Sequence, residues 1–245
     1  MNKRLTTLLS TVLVAGGATA GIAALAPVAS AAPAPAVSAA QPADRFQGVD
    51  VSTYDRNFDW GRGGLAFGIA KATEGPARTD PTFAANWTKI RDNRLVRGAY
   101  HYGHPGGDPV KEADHFVDVV RKGGLQNGDL LMLDLETTDG RSRDQVNAWA
   151  KRWLERVESA TGVKPFFYSS WYFAQENGDG LGAYPLWVAH YGKDAGRLKA
   201  PAPWKDWTLH QYASTDHDHN VSRLAPDELR KLGYDTAMDP AGGAA

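Results

Sequence analysis

The chain has 245 residues, with 27 basic and 28 acidic side chains, a net charge of −1 and no cysteine. This balance, without a basic stripe, argues against a nucleic-acid binder. A cysteine-free fold cannot lean on disulfides and must hold itself by burial, for which the chain is long enough as one domain.

Lys3 and Arg4 precede an uncharged stretch from Leu5 to Ala31, which closes on Ala29-Ser30-Ala31. That small-x-small ending reads as a signal-peptidase site, so residues 1–31 are expected to be a signal peptide. An uncleaved anchor is the alternative, weakened by the Ala, Gly and Thr content of the stretch. Cleavage before Ala32 removes two basic residues, leaving 25 against 28 acidic and a net charge of −3. Residues 32–45 form an Ala/Pro-rich linker that cannot build a core. A single domain then covers 46–236, followed by a loose tail over 237–245. The expectation is a secreted, bacterial, monomeric protein with no stable membrane association.

Short apolar runs alternate with helical patterns after the linker. Strands are predicted at 48–52, 67–73, 97–102, 130–136, 165–170, 186–191 and 207–212, with a doubtful short one near 219–221. The first carries Asp50 inside Gly48-Val49-Asp50-Val51-Ser52, and the second ends in Lys71-Ala72-Thr73-Glu74. An acid inside an apolar strand needs either a partner or a job, whereas Lys71 and Glu74 suit an ion pair or a substrate contact. Phe83, Trp87 and Ile90 have helical spacing, as do Val110, Ala113, Phe116 and Val120 before Gly123-Gly124. The third strand ends in His101 and Tyr102. After the fourth, Ser142-x-x-Gln145 is a capping-box pattern, and Val146, Trp149, Trp153 and Val157 line one helix face up to Gly162. Sugar rings stack on aromatic faces, which gives the eight Trp and nine Tyr a possible use; Trp149 and Trp153 are nevertheless assigned to the core.

Strand–helix alternation over five units implies a parallel sheet with right-handed crossovers. Eight strands, with helices on the first five units and mainly loops thereafter, fit a TIM-barrel-like fold; a doubly wound open sheet is the alternative. Catalytic groups of a barrel gather where strands run into their following loops. Asp50, Glu74, His101, Tyr102, Asp134, Glu136, Tyr168, His190 and Gln211 all fall near such points.

The sharpest of these signals is Leu133-Asp134-Leu135-Glu136. Alternate strand residues share a face, placing the two carboxyls side by side with Cα atoms about 6.5–7 Å apart. Like charges that close, beside apolar residues, raise the proton affinity of at least one. An acid kept protonated beside an ionised carboxylate is the pairing that glycoside hydrolysis uses. Asp216-His217-Asp218-His219-Asn220 invites a metal reading, but Val221 stands where a calcium loop needs Gly, and the spacing is not that of a hydrolytic zinc motif. No metal and no cofactor is expected. There is no Gly-x-Ser-x-Gly elbow, P-loop or dinucleotide fingerprint.

Taken in order, Gly48-Val49-Asp50-Val51-Ser52, Phe67 to Gly75, Arg97 to Tyr102, Leu133-Asp134-Leu135-Glu136, Pro165 to Ser169, Leu186-Trp187-Val188-Ala189, Gln211-Tyr212 and Asp218-His219-Asn220 resemble the family 25 glycoside hydrolases. These are N-acetylmuramidase lysozymes of the bacterial cell wall. The resemblance runs from about Gly48 to Gly233. It implies an irregular (β/α)5(β)3 barrel over 46–236 and peptidoglycan as the partner. The implied catalytic residues are Glu136 as proton donor, Asp134 as charge stabiliser, and Asp50 and Asp218 as positioning acids, with Asp216 the fallback for the last. Lys71, Glu74, His101, Tyr102, Tyr168, Trp187 and Gln211 are the implied substrate-binding residues. A chitinase-like hydrolase and an inactive peptidoglycan-binding barrel are the competing readings. The first is weakened by the absence of an Asp-x-x-Asp-x-Asp-x-Glu strand, the second by retention of all four acids.

Overall fold

A computed structural model of the chain describes residues 45–241. The expected signal peptide, nearly all of the linker and the last four residues of the tail lie outside the described residues. Among the described residues, no helix is long and apolar enough to cross a membrane.

The strands are β1 (Phe46–Val51), β2 (Phe67–Glu74), β3 (Arg78–Thr79), β4 (Val96–Tyr102), β5 (Leu130–Asp134), β6 (Phe166–Ser170), β7 (Leu186–Ala189), β8 (Leu209–Ser214) and β9 (Asp218–Ser222). They pair in the order β1-β9-β8-β7-β6-β5-β4-β2, and β1 pairs with β2, so eight of the described strands close a barrel. The two-residue β3 is a hairpin appended to β2. Parallel pairing runs from β1 through β2 and on to β8, while β9 is antiparallel to both β8 and β1. The doubtful last strand is therefore real. It runs against its neighbours because a tight hairpin, rather than a crossover, delivers it.

The helices are α1 (Phe83–Asp92), α2 (Pro109–Lys122), α3 (Arg143–Thr161), α4 (Trp171–Asn177) and α5 (Pro226–Arg230). One expectation needs correcting: β1 is followed not by a helix but by a single 3₁₀ turn, Thr53–Asp55, capped by Ser52. The segment there is too rich in Asp, Arg and Gly to offer an apolar stripe. At α3, Ser142 and Gln145 form the reciprocal capping box. Gly162 ends this helix at φ 73°, where an added Cβ would collide with the Met238 carbonyl.

Strand alternation divides the core in two. Phe67, Ile69, Tyr100, Met132, Tyr168, Trp187 and Leu209 fill the barrel interior. Val49, Val51, Ala70, Leu131, Leu133, Phe167 and Val188 face outward, against Trp87, Phe116, Trp149 and Trp153 of the helices. Trp153 is fully buried, as the helical spacing requires.

Candidate active site

The inward-facing positions turn polar toward the C-terminal ends of the strands. Asp50 sits on β1. Asp218, the first residue of β9, lies directly opposite it across the closing antiparallel pair. Asp134 ends β5, two residues earlier than predicted for this strand. The extended path continues even so: Leu135 N–H donates to the Tyr168 carbonyl at 3.0 Å, and Leu135 is fully buried. Asp134 and Glu136 consequently still emerge on one side, with Asp134 buried and Glu136 opening to solvent.

Asp50 is held by amides. Its Oδ2 accepts from Gln211 Nε2 at 2.8 Å and from Asn220 Nδ2 at 2.6 Å. Both amides are oriented in turn. Gln211 Oε1 accepts from the Tyr168 and Tyr191 hydroxyls at 2.7 and 2.6 Å, and Asn220 Oδ1 accepts from Trp187 Nε1 at 2.8 Å. The Trp187 indole can only donate, so Asn220 turns its N–H toward Asp50.

The electrostatics run one way. Burial, then the charge of Asp218, holds the Asp50 carboxyl well above the usual carboxylate range, against the two amides. Burial, then the charges of Glu136 and Asp50, does the same to Asp134. Its Oδ1 is buried without a hydrogen-bond partner. Glu136 reaches solvent, yet it lies in a concave mouth where burial is the largest cause of an upward shift; Asp218 adds to the shift, while a hydrogen bond from Asp134 and the Lys71 charge oppose it. Asp218 is also raised, chiefly by burial. Such a cluster binds protons more tightly than four isolated carboxylates would. Asp134 and Glu136, both with raised proton affinity, lie together at the mouth, an arrangement suited to holding a proton there.

Lys71, Glu74 and Tyr102 gather on the same rim. Lys71 Nζ contacts Glu74 Oε2 at 2.7 Å and lies 4.9 Å from the centre of the Tyr102 ring. A bulge in β2 between Lys71 and Thr73 makes this possible, returning Glu74 to the inward side three residues after Lys71. Burial and then the charges of Asp134 and Glu136 push the Tyr102 phenol up to about 12.

Two of the proposed substrate contacts are corrected by their burial. His101 is fully buried on the outer face of β4. Its Nδ1 meets the Thr73 hydroxyl at 2.8 Å, its Nε2 meets Glu112 Oε2 at 2.9 Å, and its ring stacks on Trp153. Neighbouring strand residues point to opposite faces, so Tyr102 at the rim excludes His101 from it. Trp187 is 1% exposed and packs between Tyr100 and Tyr168 beneath the acids. Tyr168 and Gln211 likewise form the floor, committed to Asp50. The residues missed by the sequence reading, Tyr191 and Asn220, reach Asp50 directly or through one amide. For Asn220, the signal was its two-residue spacing from Asp218 on one strand.

Asp216 turns away from the acids. Its carboxylate meets His217 Nδ1 at 2.7 Å and His219 Nε2 at 2.9 Å. Beside it, the segment Thr53–Phe58 and His217 line a cleft of about 620 Å³.

The family model described as Glycosyl hydrolases family 25 matches residues 49–221. An uncharacterized protein of Escherichia coli K12, YegX, is 38% identical over 76% of this chain and 72% of its own. An N,O-diacetylmuramidase of Arthroderma benhamiae is 32% identical over 83% of this chain and 93% of its own. The crystal structure of a bacterial lysozyme from Streptomyces coelicolor superposes with a TM-score of 0.69 at 29% identity, covering 77% of this chain and 96% of that one.

Proposed function

The chain belongs to glycosyl hydrolase family 25, and from that premise we propose that it is a secreted lysozyme cutting the β-1,4 bond between N-acetylmuramic acid and N-acetylglucosamine in peptidoglycan. One observation carries the reading: Asp50, Asp134, Glu136 and Asp218 converge at one end of the barrel, and each holds its proton more tightly than an isolated carboxyl.

Glu136 is the proton donor, being the member of the Asp134–Glu136 pair that opens to the mouth. It protonates the glycosidic oxygen as the bond to the muramic acid sugar breaks. Asp134, behind it, stabilises the positive charge that develops on the sugar ring or its acetamido group. Asp50 and Asp218 face each other at the closing seam, where they position the sugar and bias the proton toward the pair. Lys71 limits that bias, because its charge favours the ionised forms. Tyr102 and Glu74 line the approach.

The test is Glu136→Gln. It keeps the shape of the side chain and removes the transferable proton, so clearing of cell-wall suspensions should fall by roughly 10²- to 10⁴-fold with a melting temperature no lower than that of the wild type. Wild-type-like clearing by the folded variant would overturn the assignment. Mass spectrometry of released fragments should place the new reducing end on N-acetylmuramic acid. Release from chitin oligomers, or binding to walls without new reducing ends, would favour the competing readings.

A further inference from the structure

We propose that Asp216, His217 and His219 form a binding site for one divalent transition-metal ion of the zinc class at the β8–β9 hairpin, on the rim beside Asp218. The sequence has neither a calcium-loop nor a hydrolytic-zinc spacing here, but the hairpin gathers the three side chains. Asp216 lies just before β9, and with His217 and His219 it brings three ligand atoms within 4.8 Å of one another. The imidazole rings lie side by side, tilted by 37° with their centres 4.1 Å apart, and each presents a nitrogen to the same carboxylate.

Two imidazole nitrogens and one carboxylate oxygen suit zinc, nickel or copper, and not calcium or magnesium, which take oxygen ligands. Tetrahedral zinc with bonds of about 2.0 Å holds its ligand atoms about 3.3 Å apart. Asp216 and His219 are 66% and 25% exposed, so their side chains are free to close the remaining distance, and water completes the coordination.

Arg62 supplies an internal control. Its Nη1 lies 3.0 Å from His217 Nε2. An arginine can only donate, so in the metal-free protein the His217 ring hydrogen sits on Nδ1, toward Asp216. Metal capture at Nδ1 moves that hydrogen to Nε2, where it faces the Arg62 donor. Arg62 thus opposes the metal, and a glutamine there, whose Oε1 accepts from Nε2–H, supports it.

Calorimetric titration of tag-free protein with zinc chloride should show one ion per chain, with no binding of magnesium or calcium chloride. Asp216→Asn, nearly isosteric and exposed, and His219→Gln should each weaken zinc binding roughly tenfold or more, while Arg62→Gln should tighten it. Zinc should also raise the melting temperature of the wild type more than that of Asp216→Asn. Absence of zinc binding, binding unchanged in both ligand variants, or tighter binding of calcium than of zinc would overturn the site. None of these readouts depends on enzymatic activity, so they stand or fall apart from the proposed function.

Discussion

Replacing Asp134 by asparagine separates what the site does from what it costs the fold. Asp134 is buried, has one orphaned oxygen, and faces the charges of Glu136 and Asp50 with Lys71 as its counterweight. Its proton affinity in the folded state exceeds that in the unfolded chain. Its contribution to stability is therefore fully present below the unfolded carboxyl range, near pH 4, and is lost as pH rises through the folded value. Asparagine keeps the shape, carries no charge, and offers Glu136 a permanent N–H donor. Asparagine removes the buried charge, which relieves about 1.4 kcal/mol for each unit by which the folded carboxyl is raised, and each kcal/mol is worth roughly 2–4 °C of melting temperature for a domain of this size. Thermal melts should therefore show the variant more stable than wild type at pH 7, with the gain shrinking toward pH 3.5, where wild-type Asp134 is protonated. Activity should move the opposite way. An uncharged donor beside Glu136 lowers its proton affinity and empties the acid, so clearing falls and the residual activity shifts to lower pH. A melting temperature at pH 7 equal to or below that of wild type, or an equal gain at both pH values, would refute the reasoning.

Lys71→Met removes the cation that favours ionised Asp134 and Glu136. The alkaline limb of the activity profile should move to higher pH, as measured by initial rates across buffers of constant ionic strength. His101→Phe should leave kcat/KM of the folded fraction within a factor of about two, because the ring faces the helices. It should nevertheless lower stability by about 1–3 kcal/mol, since the Thr73 hydroxyl and Glu112 Oε2 each lose a buried hydrogen-bond partner and only the His104 N–H remains on Glu112. A loss of kcat/KM without a fall in melting temperature would return His101 to the site.

Much of the fold was legible because apolar runs and turn residues act locally. The capping box at Ser142, the helix stop at Gly162 and the burial of Trp153 all follow from patterns within a few residues. The pair Asp134 and Glu136 was legible for the same reason. The floor of the site was not. Gln211 and Asn220 meet Asp50 only because strands far apart in sequence become neighbours, a relation no local window contains. His101 was misplaced through disregard of strand parity, which the adjacent Tyr102 already fixed. The Lys71–Glu74 pair was anticipated, but the bulge that permits it was not, since a regular strand would place residues at that spacing on different faces. Asp216 and Asp218 could not be told apart by composition; the hairpin that starts β9 separates them by turning one inward and the other toward the histidines.

The antiparallel last strand has a kinetic consequence. Because β9 closes the barrel against β1, Asp50 meets Asp218 and Asn220 only when the two ends of the domain join. A folding intermediate with β1 to β8 in place would contain Asp134 and Glu136 as a pair, but neither the facing acid nor the complete amide clamp. Contacts spanning nearly the whole domain form late, because loop closure must precede them. Recovery of activity after dilution from denaturant should therefore lag behind recovery of helical signal, making the enzyme's own turnover a clock for the closing of its barrel.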